Sequence, residues 1–220
     1  MARVLHLAAG AAFSAALVFA QNPPDSQGVK TPTSRKTPSV GVFLDFDTAP
    51  GTVPMEMMKK EVDKILKPAG VALDWRLASE NRGDQAFSGL VVLKFKGKCR
   101  IESWGETGSE PQPGEAMTLG ATKVVNGRVL PFTEVECDQV KRALAYLPPQ
   151  AGAKERQKAF GIALGRVVAH ELYHILARTT AHAGHGLARA SESLEDLVSQ
   201  RSMGFRDEES TAIRKGLLPR

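Results

Sequence analysis

The sequence predicts an α+β domain, a mixed β-sheet followed by a long buried helix. Three observations carry this. Short runs rich in Val, Leu and Phe with strand-like patterning recur between residues 40 and 137. An amphipathic helical stretch interrupts them just after residue 54. A nearly continuous apolar stretch at helical length covers about 153–177. The 220 residues are 42% hydrophobic and 24% charged, which supplies a real core and excludes wholesale disorder.

Taken in order, Val40–Phe46 (VGVFLDF) reads as the first strand. Pro54 then stands where a first helical residue belongs, and Met55, Met58, Val62, Ile65 and Leu66 follow on one helix face. Pro68-Ala69-Gly70 stops that helix. Val71–Arg76 and Gly89–Lys96 read as two more strands. Trp104–Gly114 is a polar loop rich in Gly and Pro. Asn126-Gly127 predicts a tight hairpin turn because both residues accept positive φ. Phe132–Cys137 reads as a further strand, Asp138–Leu147 as a short helix ending at Pro148-Pro149, and about 153–177 as the long helix.

Outside this core the chain changes character. Residues 1–20 combine Arg3, an apolar run from Leu7 to Phe19 and small residues near Ala20, the pattern of a cleaved secretory signal peptide. The run is short for the ~20 residues that span a bilayer, so no integral membrane segment is expected after its removal. Residues 21–39 are rich in Pro, Ser, Thr and Lys and are expected to be a flexible leader. The domain is then expected over 40–205, with 206–220 a peripheral C-terminal tail holding a short helix. The expected location is secreted or periplasmic. There, an even pair of cysteines, Cys99 and Cys137, favours a disulfide over zinc ligation. The net charge of +5 comes from 29 basic residues scattered among 24 acidic ones, with no basic stripe, so nucleic acid is not an expected partner.

The chemistry concentrates on the long helix. His170-Glu171-Leu172-Tyr173-His174 is an HExxH motif. Residues four apart lie on one helix face, so two imidazoles can reach one metal ion. Glu171, turned by about 100° around the axis, flanks that ion without having to bind it. Ala163, Leu164, Val167, Val168, Leu172, Ile175 and Leu176 bury the helix, and Gly161 and Gly165 suggest that another backbone packs close. Apart from His6, every histidine lies between 170 and 185. A hydrogen-bonded core histidine pair is the alternative reading of the motif.

On HELYHILARTTAHAGHG, residues 170–186, the chain resembles the zincin metallopeptidases and, within them, a metzincin-like member. It is similar to secreted bacterial peptidases in which HExxH is followed by a histidine eight residues on and then Gly, here His182 and Gly186. The resemblance covers about residues 160–190. It implies a zincin-like sheet, a Zn²⁺ cofactor held by His170, His174 and His182, and Glu171 as catalytic base. The implied function is a secreted zinc metalloendopeptidase that cleaves a peptide or protein substrate through zinc-activated water. Two positions depart from the metzincin pattern: Ala177 stands where Gly turns the chain, and Thr180 where the third ligand falls.

The third ligand therefore stays open among His182, His185 and a carboxylate from Glu192 or Glu195. Those acids have an ordinary role as well, since Ser191 reads as an N-cap and acids in a first turn complement the helix dipole. The alternative function is a non-catalytic secreted zinc-binding protein, its fourth position closed by His185 or a carboxylate.

Overall fold

Five strands form one sheet in the order β2-β1-β3-β5-β4: β1 (Ser39–Phe46), β2 (Ala72–Leu77), β3 (Gly89–Lys96), β4 (Gly120–Val125) and β5 (Arg128–Glu136). Neighbours run parallel except β4, which lies antiparallel on β5 at one edge, so the sheet is mixed. The structure is a computed structural model and describes residues 39–80, 83, 86–101 and 117–218. The expected signal peptide, the leader up to residue 38 and the whole loop at 104–114 lie outside those residues.

Alternation along the strands decides which face is covered. In β3, Val91, Leu93 and Phe95 are fully buried, while Lys94 and Lys96 on the other face pair with Asp45, Asp47, Glu134 and Glu136. The register sets Val42 beside Val91, Leu44 beside Leu93 and Val135 beside Phe95, which extends the apolar face across three strands. Helices α1 (Thr52–Leu66) and α3 (Ala153–Ala177) pack into this core through Met58, Val62, Leu66, Phe160, Leu164, Val168 and Leu172, each fully buried. The two glycines of α3 are where the helices touch. A Cβ on Gly161 would lie 2.5 Å from the Pro54 carbonyl oxygen, and one on Gly165 would lie 2.9 Å from that of Met58.

The Asn126-Gly127 turn forms with φ of 50° and 73°, as a tight hairpin requires. The second arm of the hairpin and the strand expected at 132–137 turn out to be one nine-residue strand, β5, which runs through Pro131. Pro131 sits where the β4–β5 ladder breaks register between Thr122 and Val124, so its missing N–H costs no ladder bond. Past the sheet, Cys137 opens α2 (Cys137–Lys141) and forms a disulfide with Cys99, their Cα atoms 5.1 Å apart.

Two further helices close the domain, α4 (Leu194–Val198) and α5 (Asp207–Gly216). The N-cap of α4 is Ser193, not Ser191: its hydroxyl accepts from the Asp196 N–H at 3.0 Å. Helix α5 packs along α3 with Ile213 fully buried, and Gly216 lies against the Leu176 carbonyl with no room for a side chain. All described residues belong to one folded unit, Lys36–Arg220, which includes α5. Among the described residues no helix is long and apolar enough to cross a membrane.

Candidate metal centre

Helix α3 places His170 and His174 one turn apart, with their Nε2 atoms 3.1 Å from each other. Each ring is fixed from behind. His170 Nδ1 lies 2.7 Å from the Leu187 carbonyl oxygen, and His174 Nδ1 lies 2.9 Å from that of Thr179. A carbonyl can only accept, so both Nδ1 atoms carry the proton when the rings are neutral. Both Nε2 atoms are then bare, and their lone pairs face each other across a gap with no proton to share.

The chain leaves α3 through Arg178, which adopts the left-handed conformation at φ 54°. Helices usually give this position to glycine. The Thr179 N–H donates back to the His174 carbonyl at 3.0 Å, and the Thr179 hydroxyl accepts from the Ala181 N–H at 3.0 Å. This turn returns His182 to the pair. Its ring stacks on His170 with centroids 5.3 Å apart and meets His174 edge-on at 4.7 Å. One ring nitrogen from each of His170, His174 and His182 falls within 4.8 Å of the others. The loop beyond is stitched by Ala183 N–H to Ala188 carbonyl at 2.8 Å and Leu187 N–H to Gly204 carbonyl at 3.3 Å.

Burial pushes the His174 pKa below the ordinary histidine range, outweighing its hydrogen bond to Thr179. Burial also lowers that of His182, with His174 beside it adding to the effect. Both rings are therefore neutral near pH 7, the form that ligates metal. Of the other candidates, His185 is exposed and stands apart from the trio. Glu192 is bound by Arg189, and Glu195 lies in the first turn of α4.

Glu171 is 6% exposed and reaches the opposite wall, the β4–β5 hairpin. Its Oε2 accepts from the Thr122 hydroxyl at 2.6 Å and from the Thr133 hydroxyl at 3.4 Å. A cavity of about 410 Å³ opens beside these groups. The three histidines and Glu171 line it, with Leu119, Val167 and Leu197 as apolar walls and Arg189 and Glu192 as charged ones. Tyr173 packs on Phe205 with ring centroids 5.5 Å apart. One turn before His170, the buried Arg166 holds the segment after the loop: it donates to the carbonyls of Asp196 at 2.6 Å, Leu197 at 3.0 Å and Arg201 at 2.8 Å, and pairs with Glu61 at 3.4 Å.

Thr122, Thr133, Gly120 and Arg166 were not among the residues singled out from the sequence. The one signal was phase: Thr133 alternates with Val135 and so stands on the buried face of its strand.

No protein-family model matches this chain, and no curated protein matches it. Among solved structures, the chain is similar to the crystal structure of archaemetzincin from Methanopyrus kandleri, with a TM-score of 0.49 and 13% sequence identity over 84% of this chain and 98% of that one. At that distance the chemistry has to be read from the side chains themselves.

Proposed function

We propose that this protein is a secreted zinc-dependent peptide hydrolase, with His170, His174 and His182 as metal ligands and Glu171 as general base. One observation carries the reading: two Nε2 atoms held 3.1 Å apart, each ring fixed at Nδ1 by a carbonyl behind it, with a third imidazole closing over both. Facing lone pairs repel, and a cation between them removes the repulsion. The N–N spacing also fits two ligands of one tetrahedral zinc ion, for which Zn–N bonds of about 2.0–2.1 Å are usual. Three imidazoles suit zinc better than magnesium or calcium, which take oxygen.

A structural zinc site is closed by four protein ligands. Here, among the described residues, the group stops at three and faces a cavity, which supports catalysis over a structural role. When bound, zinc lowers the pKa of a ligand water towards about 7 and polarises a carbonyl. Glu171, next along the helix from His170 and at the same cavity wall, is placed to take a proton and return it to a leaving amine. The cavity gives a substrate chain apolar walls beside the histidines. Export is supported by the pattern of residues 1–20 and by the Cys99–Cys137 disulfide, since such bonds persist in oxidising compartments.

The test is zinc per chain, measured by plasma mass spectrometry on protein purified without a metal-binding tag. A ratio near one is expected, together with chelator-sensitive cleavage in a peptide-library screen that Glu171→Gln abolishes while keeping its zinc. A ratio near zero after zinc loading and dialysis refutes the proposal.

A further inference from the structure

We infer that Thr122 and Thr133 are positioning residues that hold Glu171 by one carboxylate oxygen and leave the other for proton transfer. The inference rests on the reading of Glu171 as base and concerns how this chain aims it. Thr122 and Thr133 face each other across the β4–β5 ladder. Both project from the sheet face that packs on α3, the phase that holds Val135 in β5. Valine would fill the same space there without a hydroxyl to satisfy, and a buried hydroxyl without a partner is costly. Thr133 is 1% exposed.

Both hydroxyls converge on the same atom, Glu171 Oε2, at 2.6 and 3.4 Å. Thr122 also lies 3.3 Å from the Glu171 backbone carbonyl, so the strand grips both ends of that residue. Gly120 completes the cradle: a Cβ there would come within 2.9 Å of both Cγ and Oε1 of Glu171. The carboxylate thus lies flat on the backbone of β4. With Oε2 accepting from two hydroxyls, Oε1, over Gly120 at the cavity wall, is the oxygen that exchanges the proton. A glutamate on an open helix face would sample several rotamers, whereas here the hairpin selects one.

Two arms test this. In metal-free protein, a double-mutant cycle pairs Thr122→Val with Glu171→Met and reads urea unfolding midpoints. Thr122→Val should lower the midpoint in the wild-type background and raise it in the Glu171→Met background, where the hydroxyl has lost its acceptor. Additive shifts overturn the inference whether or not a substrate is in hand. On a peptide that the wild type cleaves, Thr122→Val should lower kcat by about 10–100-fold, the usual cost of removing a supporting partner. KM should stay within twofold and zinc content unchanged, and Thr122→Ser should recover most of the rate. Full kcat in Thr122→Val, or no recovery with serine, overturns the positioning role. Full activity in Glu171→Gln instead removes the base assignment, and this inference with it, even where the cycle shows coupling.

Discussion

His170 and His174 stand on a helix with almost every turn buried, whereas His182 stands on an exposed loop held by a few backbone hydrogen bonds. The helix side is set by periodicity: once α3 forms, residues four apart must share a face. The loop side is set by an unusual turn, a left-handed arginine followed by Thr179, whose carbonyl and N–H both bond to His174. One half of the cluster is thus built before any metal arrives. The other half depends on local contacts of low stability, the kind that open first.

The largest effect that would sharpen this contrast comes from removing one ligand on each side. His174→Ala should lose zinc altogether. His182→Ala should keep a measurable site, weakened by at least about a hundredfold, beyond the cost of losing an outer partner. Competition with a chromophoric chelator distinguishes them, and equal losses would mean that the loop is as prebuilt as the helix.

Next in size is Gly161→Ala, which strikes the helix side far from the histidines. Its new methyl meets the Pro54 carbonyl, a backbone atom that cannot turn aside. Overpacking of this kind costs about 1–3 kcal/mol, partly offset by alanine's better helix propensity. A net loss of about 1 kcal/mol in urea unfolding is expected, and a gain would show that α1 can slide. The smallest effect falls on the loop side. Arg178→Gly should raise stability by about 0.5–1 kcal/mol, because glycine adopts positive φ without the penalty that arginine carries. A loss there would mean that the arginine side chain holds the turn by contacts of its own.

What could be read from sequence follows the same divide. The bounds of α3 and β3, the Asn126-Gly127 turn and the HExxH pair all depend on residues near one another in the chain, and each formed as expected. The resemblance favoured His182 over His185 from the start, but the turn that brings it beside the pair was not legible, because Ala177 and Thr180 gave no local reason to expect a two-residue longer loop. The continuity of β5 through Pro131 was hidden by a residue that normally ends a strand and is tolerated here only by a register break in β4. The Thr122–Glu171 and Arg166–Glu61 contacts join residues 49 and 105 positions apart, so no window of sequence contains them.

The pair of bare Nε2 atoms has a practical side. A preformed nitrogen site does not choose zinc by affinity: across the divalent series, copper binds such donors more tightly, and nickel also competes. Whichever ion meets the chain first as it folds can therefore stay, and a nickel purification resin is one such source. Two preparations of the same protein could then differ in activity with no difference in sequence or fold.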